Sequence, residues 1–327
     1  MVIVDMVERL GGIAEGDTVT VRLVRAGDVA AVRNWCLRTG NTLLRADEAE
    51  AVVRRGRAPD PVAELAPHRR PGTRLWLYTN FDCNLACDYC CVRSSPQADR
   101  RALGVDRIAR LAGEAPDAGV AELLLTGGEP FLLYDLDQIV ATCTAALPTT
   151  LLTNGMLFRG RRLDLLRRLP RDRLRLQISV DSATPDRHDL HRGAGSWARA
   201  LAGIRVALDE GFTVRVAATL VRADATEEAE LRDFLDALGI ARDDQILRPV
   251  AKRGFAADGV LTSVDTLVPE VTVTADGVYW HPVGADDADQ LVTRDLFPLR
   301  SAVERVLEIF KTYRAGADAA ARTFPCA

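Results

Sequence analysis

Arg74-Leu75-Trp76-Leu77-Tyr78-Thr79, followed closely by Cys83-Asn84-Leu85-Ala86-Cys87-Asp88-Tyr89-Cys90, is the stretch from which the rest of this chain is read. The first run is apolar and aromatic, as a buried β-strand is. The second places three thiols in one short loop. Three closely spaced thiolates can hold one iron–sulfur cube, and because a four-iron cube needs four ligands, one iron is left open to a non-protein ligand. The competing reading is a structural zinc site, which wants four ligands in a closed tetrahedron. Cys91 directly adjoins Cys90 and is badly placed to reach the same ion, and His68 lies on the far side of the predicted strand. Three buried cysteines without a metal conflict with the polar Asn84 and Asp88 between them.

From Arg74 onward, strand-like and helix-like runs alternate at βα spacing. Strands are expected near 74–79, 120–126, 149–153, 173–180, 213–221 and 245–250, with helices near 104–114, 134–146, 161–168, 196–210 and 226–238. Six such units form a parallel sheet, open or curved into a partial barrel, that carries ligands at the C-terminal ends of its strands. The fold class is therefore α/β, a partial (β/α)6 barrel with a small N-terminal α/β domain and a short C-terminal hairpin plus helix. The expected domains are 1–66, a linker over 67–73, the barrel over 74–258 and a C-terminal extension over 259–327. Pro59, Pro61, Pro67 and Pro71 mark the approach to the barrel as linker. Asp276-Gly277 turns the hairpin. The last helix starts near Ser301, with Ser301 and Glu304 as a capping box and Val303, Val306, Leu307 and Phe310 on one face.

The chain has 327 residues and a formal net charge of −4. It carries no basic field that would attract nucleic acid or an anionic membrane. No apolar run approaches the roughly 20 residues of a membrane span, and the start lacks a cationic region and a cleavage site. A cytoplasmic protein is expected. Seven cysteines, an odd number with three in one loop, read as reduced thiols and metal ligands.

Thr126-Gly127-Gly128-Glu129-Pro130 ends the strand that contains Leu123-Leu124-Leu125. Two glycines let backbone approach a ligand, and Glu129 offers a carboxylate to a cation. With this motif one strand after the three-cysteine loop, the chain resembles the radical S-adenosylmethionine superfamily over roughly Arg74 to Phe255. Thr153-Asn154-Gly155, Gln177-Ile178-Ser179-Val180-Asp181 and His188-Asp189-Leu190-His191-Arg192-Gly193 resemble the branch containing molybdenum-cofactor cyclases and peptide-maturing (SPASM/twitch) enzymes. The resemblance implies that Cys83, Cys87 and Cys90 ligate a [4Fe–4S] cluster whose open iron chelates the amino and carboxylate groups of S-adenosylmethionine. Glu129 and the carbonyls of Gly127 and Gly128 would accept from the ammonium, and Ser179 and Arg192 would donate to the carboxylate. Asp181 would accept from a ribose hydroxyl and the Tyr89 backbone would contact adenine. Thr153 would face cofactor or substrate. A reduced flavodoxin or ferredoxin would supply the electron that cleaves the cofactor to a 5′-deoxyadenosyl radical, which abstracts hydrogen from a small-molecule or peptide substrate. Arg248, Lys252 and Arg253 after the sixth strand suit an anionic substrate group. The residues that act on the substrate are not legible.

Two features depart from that branch. Many of its members carry a cysteine-rich C-terminal extension, whereas the only cysteine here beyond Cys143 is Cys326, so one cluster per chain is expected. Residues 14–44 resemble a TusA-type sulfur-carrier domain without its Cys-Pro motif, either a degenerate docking module or a chain numbered from downstream of the true start. Cys36 and Cys143 fall in helical patterns and read as core, as does His281 or else as a surface group. The rival functions are a non-catalytic iron–sulfur or zinc protein that docks a sulfur-relay partner, and radical sulfur insertion.

Overall fold

A computed structural model describes residues 2–323 except 26, 57–61, 64, 222, 223 and 265, and the side chains only as far as residue 313. Pro59, Pro61 and Cys326 lie outside the described residues. The chain forms two compact units, Met1–Arg70 with Leu307–Ala327, and Pro71–Val306.

In the first unit, helix α1 (Val2–Gly11), strand β1 (Thr18–Arg22), helix α2 (Asp28–Thr39) and strands β2 (Thr42–Ala46) and β3 (Glu50–Arg54) follow in order. The strands form an antiparallel sheet ordered β1-β3-β2. The alternation in Thr18-Val19-Thr20-Val21 turns both valines to the core, where Met6, Leu10, Val32, Cys36 and Val53 meet them. Gly40 closes α2 in the left-handed conformation at φ 70°.

The second unit is built on one nine-stranded sheet. Its parallel part runs β4 (Arg74–Tyr78), β5 (Glu122–Thr126), β6 (Thr149–Thr153), β7 (Leu174–Ser179), β8 (Thr213–Leu220) and β9 (Gln245–Pro249). Helices α3 (Val105–Glu114), α4 (Leu136–Ala146), α5 (Arg161–Arg168), α6 (Pro185–Arg192), α7 (Ser196–Asp209) and α8 (Ala225–Ala237) connect these strands. β4 and β5 are buried at four of five positions, so they read as near-continuous apolar runs. The sheet does not close as a barrel: β9 is one edge, and beyond β4 come β10 (Thr272–Thr274), β11 (Gly277–Tyr279) and β12 (Leu291–Thr293). β10 runs parallel to β4, and β10–β11 is the hairpin expected at Asp276-Gly277.

Two local features differ from the sequence reading. Residues 185–192 form α6, with Pro185 in its first turn, where a missing N–H costs nothing. The final helix α9 (Leu299–Thr323) begins two residues before Ser301, which therefore lies inside the helix rather than capping it.

The packing yields two predictions. A Cβ on Gly203 in α7 would stand 2.0 Å from the carbonyl oxygen of Gly155. Gly203→Ala, normally mildly stabilising in a helix, should instead cost about 1–3 kcal/mol, seen as a lower denaturant midpoint; a neutral or stabilised variant would contradict this contact. Two histidines are held neutral: burial pushes His188 down to about 4 and His281 down to about 3. The unfolded chain takes up these protons near pH 6.5 while the folded chain does not, so their contribution is present above that pH and lost as pH falls. Unfolding free energy of the cluster-free protein should drop by roughly 2 kcal/mol per histidine between pH 7 and pH 5, and His188→Asn should remove about half of that slope.

Candidate active site

The C-terminal ends of the parallel strands open on one cavity of about 220 Å³. Cys83, Cys87 and Cys90 line it with Tyr89, Gly127, Gly128, Thr153, Ser179 and Arg192, so nine of the eleven residues singled out in the sequence meet there. Arg248 joins them from β9. Lys252 and Arg253 do not line the cavity, and Arg253 is neutralised by Asp287 and Asp289 at 3.0 and 2.7 Å. The basic cluster expected after the sixth strand thus reduces to one residue.

The cysteine loop is held in shape by its own hydrogen bonds. The N–H of Leu85 donates to Cys83 Sγ at 3.4 Å and that of Ser94 to Cys90 Sγ at 3.3 Å. The Cys90 N–H closes a turn on the Cys87 carbonyl, and the Cys90 carbonyl accepts from Phe255 N–H. His191 Nδ1 meets Asp88 Oδ2 at 2.9 Å while the Asp88 N–H donates to the His191 carbonyl, which ties the loop to the end of α6. Burial is the largest influence on two of the thiols and pushes both up, Cys87 to about 11.

Glu129 and Asp181 are not among the residues that line the cavity. Glu129 is fully buried, and its carboxylate accepts from Phe131 N–H, Thr153 Oγ1 and Asn154 N–H at 3.0, 2.8 and 2.8 Å. Burial raises its pKa, against those three donors. It fixes the end of β6, from which Asn154 Nδ2 reaches Asn84 Oδ1 in the cysteine loop at 2.8 Å. Asp181 accepts from Thr219 N–H at 2.9 Å, from Arg192 Nε and Nη2 at 2.5 and 3.2 Å, and from the Tyr89 hydroxyl. Burial alone would push Asp181 up, but the Arg192 guanidinium and these donors hold it below the usual carboxylate range. No acceptor position is left on it for a ribose hydroxyl.

The two glycines also have a packing role. A Cβ on Gly128 would lie 2.1 Å from the Asp82 carbonyl oxygen, and one on Gly127 would lie 2.6 Å from that of Asn80. They let the stem of the cysteine loop approach closely, and the N–H groups of Gly128 and Glu129 bond to it. Residues missed in the sequence include Trp76, Tyr78, Thr219, Pro282 and Val283, all lining the cavity. Ser94 was missed as well. Its hydroxyl is buried, lines the same cavity and has no hydrogen-bond partner.

The residues fit a cluster held by three thiolates. Donors already aim at two of the sulfurs, and an orphaned hydroxyl faces the space beside them. Among the described residues no three Cys, His, Asp or Glu side chains converge on a single-ion point; a cube takes each thiolate on a different iron. Among these residues, too, no helix is long and apolar enough to cross a membrane.

Residues 77–238 match the family model described as the radical SAM superfamily. The chain is 31% identical over 169 residues to the antilisterial bacteriocin subtilosin biosynthesis protein AlbA of Bacillus subtilis, covering 50% of this chain and 37% of AlbA. It is 26% identical over 204 residues to a probable GTP 3′,8-cyclase of Methanosarcina mazei, covering 60% and 56%. The chain thus spans less than two thirds of the curated relatives it matches. Its fold is similar to that of Streptococcus suis SuiB solved with S-adenosylmethionine, with TM-score 0.50, 21% identity, and coverage of 59% of this chain and 44% of SuiB. A [4Fe–4S] cluster and S-adenosylmethionine characterise the family. Residues 77–238, just under half of the chain, are similar to the radical SAM superfamily, which is a superfamily of enzymes.

Proposed function

We propose that the cavity at the strand ends binds one [4Fe–4S] cluster through Cys83, Cys87 and Cys90, and S-adenosylmethionine beside it. The observation that carries this reading is the convergence of the three cysteines with Gly127, Gly128, Ser179 and Arg192 on one cavity. The bound group supplies one-electron cleavage of S-adenosylmethionine, fed by a flavodoxin- or ferredoxin-type donor, and so a radical that takes hydrogen from substrate.

This chain's residues hold and shield that chemistry. Leu85 and Ser94 N–H groups satisfy cysteine sulfurs. The Gly127 and Gly128 carbonyls accept from the cofactor's ammonium, while Glu129 orders Thr153 and Asn154 from behind. Ser179 and the remaining Arg192 N–H groups donate to the cofactor's carboxylate, and the Tyr89 backbone meets adenine. Asp181 orients Arg192 and Tyr89. Trp76, Tyr78, Pro282 and Val283 line the cavity with apolar surface that excludes water. A small molecule or a peptide in the cytoplasm is the substrate.

The first unit is read as a TusA-type domain serving as a docking module. Its α–β–α–β–β order and antiparallel sheet support a small carrier-like fold. Cys36 is 3% exposed and its thiol is pushed up to about 12 by burial, which disfavours sulfur relay through it.

Anaerobically reconstituted protein should hold about four irons per chain. Cys83→Ala, Cys87→Ala or Cys90→Ala should abolish the cluster absorbance, with Cys143→Ala retaining it; about eight irons would refute the single-cluster reading. Ser179→Ala should weaken S-adenosylmethionine binding about 10- to 100-fold in equilibrium dialysis, the worth of one hydrogen bond to a charged group. Arg192→Ala should act differently, because it strands a buried carboxylate: a loss of about 3–5 kcal/mol of stability, partly restored by adding Asp181→Asn. If Arg192→Ala unfolds at the same denaturant concentration as the parent, the buried pair is not what holds these elements.

A further inference from the structure

The cavity contains an unanswered positive charge. Its lining includes two cations, Arg192 and Arg248, and no Asp or Glu. Arg192 is neutralised by Asp181 at 2.5 Å. Among the described residues the Arg248 side chain makes no hydrogen bond or ion pair. Its side chain lines the cavity and is exposed there, so the charge is open to whatever enters.

The surroundings of Arg248 restrict what could answer that charge. It stands near the end of β9, in register with Thr219 of β8. The wall also includes Trp76, Tyr78, Pro249, Ala251, Pro282 and Val283. The two aromatic residues have already committed their polar atoms. Trp76 Nε1 donates to Glu270, and the Tyr78 hydroxyl donates to the Pro282 carbonyl at 2.7 Å. Both therefore present ring surface. A single guanidinium fork matches the two oxygens of a carboxylate, whereas a phosphate would bring a third oxygen and a second charge that this apolar wall does not meet.

We propose that Arg248 recognises a carboxylate on the substrate, carried by an apolar body that lies against Trp76, Tyr78 and Pro282. This rests on the reading of the cavity as a radical SAM site, in which Ser179 and Arg192 serve the cofactor's own carboxylate. Arg248 is then a specificity-determining residue.

The test uses reconstituted full-length protein and ligand-observed NMR, with and without S-adenosylmethionine. Its probes are 3-phenylpropionate, the neutral amide of the same acid, and 3-phenylpropyl phosphate. The parent should bind the acid about 10- to 100-fold tighter than the amide. Arg248→Gln should bring that ratio close to one, and Arg248→Lys, which keeps the charge without the fork, should leave an intermediate ratio. The same acid–amide comparison on an Ala-Ala-Phe tripeptide separates the two sources of such a carboxylate, the larger ratio marking a free acid or a peptide terminus. Equal binding of acid and amide by the parent overturns the proposal, as does an undiminished ratio in Arg248→Gln. Tighter binding of the phosphate ester overturns the carboxylate assignment. If Arg248→Gln weakens S-adenosylmethionine more than 3-phenylpropionate, the arginine serves the cofactor and the proposal falls. Failure of the parent to bind S-adenosylmethionine would instead refute the cofactor reading, while the acid-to-amide ratio measured without it still judges Arg248.

Discussion

A single buried carboxylate holds the active-site end of the sheet together. Asp181 sits just past β7, receives the Thr219 N–H from β8, the guanidinium of Arg192 from α6, and the hydroxyl of Tyr89 from between the second and third cysteines. Its own N–H is answered by His188 Nδ1 at 3.1 Å. A charge removed from water costs several kcal/mol unless every lone pair is met, so this constellation assembles nearly complete or not at all. The cysteine loop, two strand ends and one helix are thereby placed by one group that never faces the cavity.

A second restraint comes from the far end of the chain. Arg93, three residues beyond the last loop cysteine, bonds Asp286 and Asp287 at 3.0 and 2.8 Å, and Asp287 also meets Arg253. Segments 251–255 and 281–290 are therefore tied to the cysteine loop from both sides. Gly254 fits this junction because a Cβ there would stand 2.1 Å from the Cys90 carbonyl oxygen. The open sheet thus needs no seventh βα unit to be walled: hairpin, turn and ion pairs bring Pro282 and Val283 to the cavity.

The consequence for function is a division of labour along the strand ends. The ends of β5 to β7 present glycine backbone and hydroxyls, and α6 adds an arginine whose charge is already balanced, which suits the zwitterionic cofactor proposed above. β4, β9 and the 281–283 segment present aromatic and apolar surface with one unbalanced charge, surroundings suited to an amphipathic anion. The cavity is polar on one side and apolar on the other because different strands supply the two sides.

Much of this was written in local patterns. Strand runs such as Leu123-Leu124-Leu125 and the spacing of Cys83, Cys87 and Cys90 specify their elements through burial period and loop length, which depend on neighbours in sequence. The Gly127-Gly128-Glu129 and Ser179–Asp181 positions were legible for the same reason, being residues that end strands. What each of those groups bonds to was not legible. Glu129 and Asp181 read as ligand contacts, and the donors around them in the fold come from as near as 2 and as far as 92 residues away, which no local pattern records. Arg248, Lys252 and Arg253 look equivalent in one dimension; Arg253 alone of the three is matched to Asp287 and Asp289, which lie more than thirty residues further on. Periodicity and spacing determined which elements form and which of their ends carry chemistry. Only tertiary structure decided which charges are cancelled there and which remain free, since cancellation is a matter of distance between side chains and not of order along the chain.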